Sequence, residues 1–166
     1  KGYRQLFIFS ENPRLSFMKV SQEFFHKEFV PKVADSARIN SQGKVHDDVI
    51  IGENVVISGS VDIGEGTEIK DNVVINGEVS IGNNVLIKSG TIIGQKGFNF
   101  QYDENDIPIP FVHFGRVIIG DNVELGALNT IVQGTLSDTL VSDYVKTDDH
   151  VHIAHNVRIG RATLIT

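Results

Sequence analysis

Three of the chain's six histidines lie close together in the segment TDDHVHIAHNVRIG (147–160), at His150, His152 and His155. An imidazole, with an unperturbed pKa of about 6.5, can take a proton from an attacking nucleophile near neutral pH. Three neutral imidazoles and a water can also hold Zn²⁺, and His113 could join His150 and His155 for that purpose. A solvated surface position is the third interpretation of each histidine. The residue types alone leave all three interpretations open.

These histidines lie within a repeat of aliphatic residues that return at every sixth position. The uninterrupted run is Val33, Ile39, Val45, Ile51, Ile57, Ile63, Ile69, Ile75, Ile81, Ile87 and Ile93. A small or β-branched residue follows four positions after most of them. Neither a helix nor an isolated strand has this period, and a repeat of six is typical of a parallel β-helix. We therefore predict an all-β solenoid in which each hexad supplies one short strand and one corner.

The corners have their own residue pattern. Asn or Gly stands three positions after the aliphatic residue at Asn54, Gly66, Asn72 and Asn84, which predicts a left-handed backbone there. Two positions after the aliphatic residue, the other hexads carry an acid or an amide at Glu53, Glu65, Asp71, Asn83 and Asp121. His155 occupies that second position after Ile153. His150 stands where Asn or Gly is usual, and His152 should point outward from a strand.

The repeat is interrupted twice, at 95–116 and at 133–138. The first interruption has no hexad register and contains aromatic residues, an acidic run and two prolines. The second, QGTLSD, adds four residues between Ile131 and Val141. Loops on a rigid scaffold often carry functional residues, so both segments are candidate parts of a site.

The segment before the repeat predicts a short strand over 5–9 and a helix with Asn12 as N-cap and Pro13 in its first turn. Apolar residues at helical spacing suggest that this helix covers the first coil of the solenoid. The predicted domains are therefore a strand–helix cap (1–32) and the β-helix (33–166). His26 on the helix and His46 beside a core position are interpreted as ordinary surface residues.

The composition narrows the possible functions. A net charge of −6 argues against a nucleic-acid or anionic-membrane surface, and no segment is long and apolar enough to span a bilayer. The absence of cysteine excludes disulfides and cysteine chemistry and fits a cytoplasmic location. The chain starts at Lys1 and stops inside the repeat at Thr166, which suggests a fragment.

Four segments, in their order along the chain, carry a family resemblance. They are IIGQKGFNF, HFGRVIIGDNVELGA, TIVQGTLSDT and KTDDHVHIAHNVRIG. In this order and at these spacings they resemble the UDP-3-O-acylglucosamine N-acyltransferases of lipid A biosynthesis, which are left-handed β-helix enzymes built from hexapeptide repeats. The segment ENPRLSF before the helix resembles the end of that family's N-terminal domain.

The resemblance implies a homotrimer with active sites in the clefts between subunits. It implies transfer of a 3-hydroxyacyl chain from acyl carrier protein to the amine of a UDP-linked glucosamine, with His155 as the general base. Asp148, Asn156 and Phe98 are the expected substrate-binding residues. No metal and no tightly bound cofactor are expected, since the acyl-phosphopantetheine of acyl carrier protein or coenzyme A acts as co-substrate.

The chain departs from the family pattern in two places. It has IVQG (131–134) where Ile-Asp-Arg-Gly is usual, and Asp149 and His150 where the family has an Asn-Leu or Asn-Gln pair. Two other enzymes therefore stay open: a coenzyme A-dependent amino-sugar N-acetyltransferase, and a metal site like that of γ-class carbonic anhydrases, using His113, His150 and His155. A non-catalytic scaffold is the third alternative.

Overall fold

The computed structural model describes residues 7–25 and 32–166. The chain divides into two compact units, Lys1–Val30 and Pro31–Thr166. Among the described residues, no helix is long and apolar enough to cross a membrane.

The first unit contains one helix, α1 (Pro13–Phe25). The Asn12 side-chain oxygen accepts a hydrogen bond from the Leu15 backbone N–H at 3.0 Å, so the predicted N-cap is confirmed. The predicted strand over 5–9 is wrong in its described part, because 7–9 are irregular and belong to none of the described ladders. A strand of that length needs a partner to satisfy its backbone. His26 lies outside the described residues, and the expected packing of α1 on the first coil stays a prediction.

The second unit is a left-handed parallel β-helix, as the resemblance implied. Its first strands are β1 (Lys32–Val33), β2 (Arg38–Ser41), β3 (Ile50–Ile51), β4 (Val56–Ile63), β5 (Glu68–Ile69), β6 (Val74–Ile81), β7 (Leu86–Ile87), β8 (Ile92–Gln95), β9 (Phe100–Tyr102) and β10 (Pro108–Pro110). The later strands are β11 (Val117–Ile119), β12 (Glu124–Leu125), β13 (Thr130–Val132), β14 (Thr139–Val141), β15 (Lys146–Thr147), β16 (His152–Ile153), β17 (Arg158–Ile159) and β18 (Leu164–Ile165).

The strands stack into two parallel sheets, and β9 and β10 pair separately as an antiparallel hairpin. One sheet has the order β1-β3-β5-β7-β12-β15-β18. The other has the order β16-β13-β8-β6-β11-β14-β17, with β4 pairing both β2 and β6. β4 and β6 each cover two hexad positions and contain a glycine at positive φ between them, Gly59 (93°) and Gly77 (81°). In the two coils that contain β4 and β6, one continuous ladder therefore covers two of the three faces.

One coil contains 18 residues, as the hydrogen bond from the Glu53 backbone N–H to Asp71 shows. The sequence separation between hydrogen-bonded residues of neighbouring coils grows to 38 across the first interruption and to 22 across the second. The strands that follow each interruption still pair with the strands before it. Both interruptions are therefore insertions that leave the coil through one corner and return to it.

The hexad aliphatic residues form the core from Ile51 onward, and Ile51, Ile57, Ile69, Ile75, Ile87 and Ile93 are fully buried. The prediction is wrong for the first two hexads, because Val33 is 51% exposed and Ile39 is 42% exposed. Their strands, β1 and β2, are each paired on one side only. Pairing on one side does not by itself expose a hexad, because Ile153 and Ile159, whose strands also have one partner each, are 3% and 8% exposed.

The corners have the predicted left-handed backbone at Asn54 (φ 57°), Gly66 (66°), Asn72 (60°) and Asn84 (53°). Later corners place less suitable residues in the same conformation, including Leu128 (56°), Tyr144 (62°) and His150 (61°). A side chain with a Cβ is disfavoured there, so these corners are held by their ladders rather than by local preference.

Candidate active site

Three neighbouring strands of the larger sheet, β8, β13 and β16, end at the same corner of the β-helix. The first insertion follows β8, the second follows β13, and the His155 corner follows β16. Because the strands are parallel, their carboxyl ends meet at one edge. Residues far apart in the sequence are therefore brought together around His155.

His155 is half-buried, and its Nδ1 lies 3.2 Å from the Asn156 side-chain oxygen. The identity of that oxygen is fixed because it also accepts the Thr135 backbone N–H at 2.8 Å, and an N–H can only donate. The proton of neutral His155 therefore lies on Nδ1. Its Nε2 carries a lone pair, which is the form that a general base needs.

The second insertion holds Asn156 in place. The Asn156 amide oxygen accepts the Thr135 hydroxyl at 2.9 Å, and its amide nitrogen is 3.0 Å from the Ser137 hydroxyl. Its backbone N–H donates to Thr139 Oγ1 at 3.0 Å. Asn156 was predicted to bind substrate. In this chain its side chain contacts His155 and the second insertion. A group held in this way can orient the imidazole.

The second insertion is bonded in turn to the end of the first. The backbone N–H groups of Phe114 and Gly115 donate to the Thr135 carbonyl at 2.7 and 3.0 Å. The Arg116 guanidinium and backbone N–H both donate to the Asp138 carboxylate, at 3.2 and 3.0 Å. These contacts tie the two insertions into one structure beside His155.

The Asp138 carboxylate makes this attachment sensitive to acid. The Arg116 backbone N–H, and then the Arg116 and Arg158 charges, hold the pKa of Asp138 below its usual value of 3.8. The ionised carboxylate therefore contributes to the stability of the folded state. This contribution is complete above the pKa that Asp138 has in the unfolded chain, and it is lost as pH falls through the lower pKa that Asp138 has in the folded chain. We expect Asp138→Asn to lose less stability than wild type as pH falls from about 5 to 2, by under about 1 kcal/mol since the pair is exposed.

Urea unfolding at a series of pH values measures this difference. Asp47→Asn, at an exposed position of the first coils, is the control and should keep the wild-type pH dependence. Equal acid sensitivity of Asp138→Asn and wild type would contradict the assignment.

His113, from the end of the first insertion, lies beside His155. The two rings meet edge to face, with centroids 5.8 Å apart and an interplanar angle of 77°. Its Nδ1 is 3.0 Å from the Phe111 carbonyl oxygen, and its own carbonyl accepts the Gln133 side-chain N–H at 3.3 Å. Gly97 lies against both rings: a Cβ there would lie 2.9 Å from His155 Cδ2 and 3.1 Å from His113 Nε2.

His113 also lines an apolar pocket of about 360 Å³. Its lining residues are Lys96, Gly97, Phe98, Asn99, Phe100, Pro110, Phe111 and His113. Phe98, predicted to bind substrate, is 89% exposed and lies against Phe100 with ring centroids 4.9 Å apart. Such a wall suits an alkyl or pantetheine segment. Phe98 therefore lies where a substrate beside His113 could reach it.

Asp148, the other predicted substrate-binding residue, is at a different corner from His155. It follows β15 in the smaller sheet, is exposed, and its carboxylate accepts the Asp149 backbone N–H at 2.8 Å. The hexads that separate 148 from 155 place the two residues on different corners of the same coil. Within one chain, Asp148 is not part of the His155 cluster.

Within one chain, the structure does not bring together the three histidines of the metal interpretation. His113 and His155 are adjacent, but no group of three His, Cys, Asp or Glu side chains suited to a metal ion occurs among residues 7–25 and 32–166. His150 lies at the Asp148 corner, where its backbone N–H donates to the Ala127 carbonyl. The five-residue spacing of His150 and His155 crosses from one corner to the next, so the two do not share a site within the chain.

Asn129 holds the Asp148 corner from inside the β-helix. It is 1% exposed, and its amide N–H groups donate to Gly126 O, Thr147 Oγ1 and Asp148 O at 2.8 to 3.1 Å. Its oxygen accepts the Val151 backbone N–H.

We expect Asn129→Ala to lower the free energy of unfolding by about 2 to 4 kcal/mol, because several buried polar groups lose their partner. Urea denaturation tests this, and Asn40→Ala, exposed on β2, should change stability by under about 0.5 kcal/mol.

The sequence did not single out several residues of the His155 cluster, namely Gly97, Gln133, Thr135 and Ser137. It also gave His113 no role outside a metal site. A usable signal was present. Counting three hexads to a coil and removing the two insertions places Ile93, Ile131 and Ile153 on the same face. The residues that follow each of them were therefore predictable neighbours.

The second unit matches the family model described as bacterial transferase hexapeptide (six repeats), over residues 60–95. A UDP-3-O-acylglucosamine N-acyltransferase of Coxiella burnetii is 51% identical over 75 residues, which are 45% of this chain and 22% of that enzyme. The enzyme of the same name from Rhizobium rhizogenes is 51% identical over 69 residues, or 42% of this chain and 19% of that enzyme. The chain thus spans about a fifth of the length of these curated relatives.

A solved structure, the UDP-N-acetylglucosamine acyltransferase of Francisella novicida, matches with a TM-score of 0.61 and 30% identity. The match covers 78% of this chain and 46% of that one. The chain is therefore a left-handed β-helix with the hexapeptide repeat of bacterial transferases, and its predicted resemblance to the UDP-3-O-acylglucosamine N-acyltransferases is confirmed over the matched stretches of 75 and 69 residues.

Proposed function

We propose that this chain acts in N-acyl transfer, moving an acyl group from a phosphopantetheine thioester to the amine of a UDP-linked glucosamine. The observation that carries the proposal is the state of His155. Its Nδ1–H is engaged by Asn156, which leaves Nε2 as the basic nitrogen, and the neighbouring His113 lines an apolar pocket. The similarity to N-acyltransferases that are named for this kind of acceptor adds support.

In the proposed reaction, His155 Nε2 takes one proton from the sugar amine while the amine nitrogen attacks the thioester carbonyl carbon. A C–N bond forms, and the carbonyl electrons move onto oxygen in a tetrahedral intermediate. Collapse of the intermediate breaks the C–S bond, and the thiolate takes the proton held by His155. The products are an amide and a free thiol, and His155 returns to its starting form.

The donor belongs to the same proposal. We favour acyl carrier protein carrying a 3-hydroxyacyl chain, with coenzyme A as the alternative donor, and no tightly bound cofactor takes part. The pocket beside His113 has apolar walls at Phe98, Phe100 and Phe111, which suit an alkyl chain better than a highly charged group.

A homotrimer in the cytoplasm completes the proposal. The end of the first insertion and its hairpin expose apolar side chains, among them Phe98, Tyr102, Ile107, Val112 and Phe114. Apolar side chains so exposed in a monomer are typical of a surface that another chain covers. Sedimentation equilibrium would show a mass three times that of the chain if the trimer forms.

The test of function is a direct transfer assay. The protein is incubated with 3-hydroxyacyl-acyl carrier protein and UDP-3-O-acylglucosamine, and in parallel with acetyl-coenzyme A and UDP-glucosamine. Mass spectrometry of the nucleotide sugar and a thiol assay should show one amide formed for each thiol released. Acetyl transfer alone would replace the lipid reaction by the N-acetyltransferase alternative. Absence of transfer from both donors would contradict the proposal.

A further inference from the structure

The His113 imidazole has one nitrogen without a partner. Its Nδ1 lies 3.0 Å from the Phe111 carbonyl oxygen, which can only accept, so the proton of neutral His113 is on Nδ1. Nε2 then carries a lone pair. It is the buried side-chain nitrogen or oxygen that lacks a hydrogen-bond partner in the described part of the chain. An unpaired buried acceptor is costly, so its persistence requires a reason.

The lone pair of His113 Nε2 lies close to the His155 ring. His113 is 8% exposed, and its ring meets the His155 ring edge to face. The position that a Gly97 Cβ would occupy borders His113 Nε2 on one side and His155 Cδ2 on the other. The absence of a side chain at Gly97 therefore leaves the two imidazoles facing a common small space.

The position of His113 is fixed independently of His155. The Phe111 carbonyl holds its ring, the Gln133 side chain holds its carbonyl, and the neighbouring Phe114 N–H is bonded to the Thr135 carbonyl. The same Thr135 holds Asn156, the partner of His155. A group held this rigidly does not need to reorganise when the charge beside it changes.

We propose that His113 is a positioning residue for His155, and that its unpartnered Nε2 stabilises the His155 ring when that ring becomes positively charged. This inference rests on the proposed role of His155 as a base. The unpartnered acceptor is unfavourable beside a neutral ring and becomes favourable beside an imidazolium in a poorly hydrated site. The stabilisation therefore appears as the proton is transferred. His113 itself neither gains nor loses a proton.

Two variants separate this electrostatic role from packing. His113→Phe keeps an aromatic ring against His155 but removes both nitrogens. His113→Gln loses the ring, but its side-chain amide oxygen can lie near the place that Nε2 occupies in the wild type. We expect kcat to fall about tenfold in His113→Phe with KM for the sugar nucleotide within twofold of wild type. In His113→Gln, kcat should recover to within about threefold. A packing role requires the opposite order, with His113→Phe the better enzyme, and that order would overturn the inference.

A second measurement does not depend on acyl transfer. Carbethoxylation of His155 by diethylpyrocarbonate at pH 8 reports the nucleophilicity of its Nε2, and fragmentation in the mass spectrometer separates His155 from His150 and His152 in the same peptide. The rate should be lowest in His113→Phe and intermediate in His113→Gln. Equal rates in all three proteins would overturn the inference. If wild type transfers no acyl group but these rates keep the expected order, the proposed function fails while the coupling of the two histidines stands.

Discussion

Replacing His155 by alanine is expected to lower kcat for N-acyl transfer by about 10²- to 10⁴-fold, the range that a positioned general base contributes. The Asn156 side-chain oxygen keeps the proton on His155 Nδ1, so Nε2 is the group available to deprotonate the amine. KM for the sugar nucleotide should change much less, because the lost interaction is made with the transferred proton. Steady-state kinetics with mass-spectrometric detection of the amide measures both constants.

His152→Ala is the matched control. His152 is exposed on β16, three positions before His155, so its removal should leave kcat within about twofold of wild type and stability within about 0.5 kcal/mol. Thermal unfolding of both variants would show that the fold is kept. A His155→Ala protein that retains more than a tenth of the wild-type kcat would contradict the assignment of the base.

Gly94→Ala is expected to lower the free energy of unfolding by about 3 to 5 kcal/mol, the upper part of the range for single substitutions. Gly94 lies in β8 with φ of +88°, a conformation that L residues rarely adopt. A Cβ there would overlap the Asn76 carbonyl oxygen and lie 2.9 Å from Val79 Cγ2. Both neighbours belong to β6, the adjacent strand of the same ladder, so neither can move without breaking the coil.

Gly160→Ala separates this effect from a general intolerance of alanine. Gly160 has no positive φ, and the nearest atom to a Cβ there is Thr163 Oγ1 at 3.9 Å. It should therefore change stability by under about 0.5 kcal/mol, with a slight gain from reduced freedom of the unfolded chain. Urea denaturation of the two variants gives the comparison. Equal stabilities would show that the β8–β6 contact relaxes and that the expected clash is wrong.

Gly94 also matters for the site, because the first insertion begins immediately after it. β8 pairs with β13 through Ile93 and Ile131, and the register shifts between Ile131 and Val132. Val132 then pairs with Gln95, and the Gln133 backbone N–H donates to the Gln95 carbonyl at 2.9 Å. The two insertions therefore leave the β-helix as neighbours, which lets Gln133 reach His113.

The period of six was sufficient to predict a β-solenoid, and the left-handedness of its coils was implied by the family resemblance. A buried aliphatic residue at each hexad and a left-handed corner at Asn54, Asn72 and Asn84 are local requirements, repeated in every coil, and each is visible in the residue types. The predicted N-cap at Asn12 is local in the same sense. The prediction is wrong at Val33 and Ile39, because the residue type at a hexad position does not show how much of its side chain the rest of the structure covers.

The site could be predicted in part. The departure of His155 from the residue types at other corners marked it as a candidate, and the two interruptions marked the segments that lie beside it. The metal alternative grouped His150 with His155, whereas such close neighbours along the chain lie at successive corners of one coil. The sequence also did not show that His113 pairs with His155, or that the Asn156 amide is already engaged.

Composition and periodicity thus determined that this protein is a hexapeptide-repeat β-helix with a histidine at one corner and insertions in its later coils. Only the tertiary structure decided that His113 and not His150 is the neighbour of His155, and that the Asn156 side chain is engaged by His155 and the second insertion. The physical reason is the parallel ladder. It places side by side residues that lie 18, 22 or 38 positions apart and separates those that lie five or seven apart.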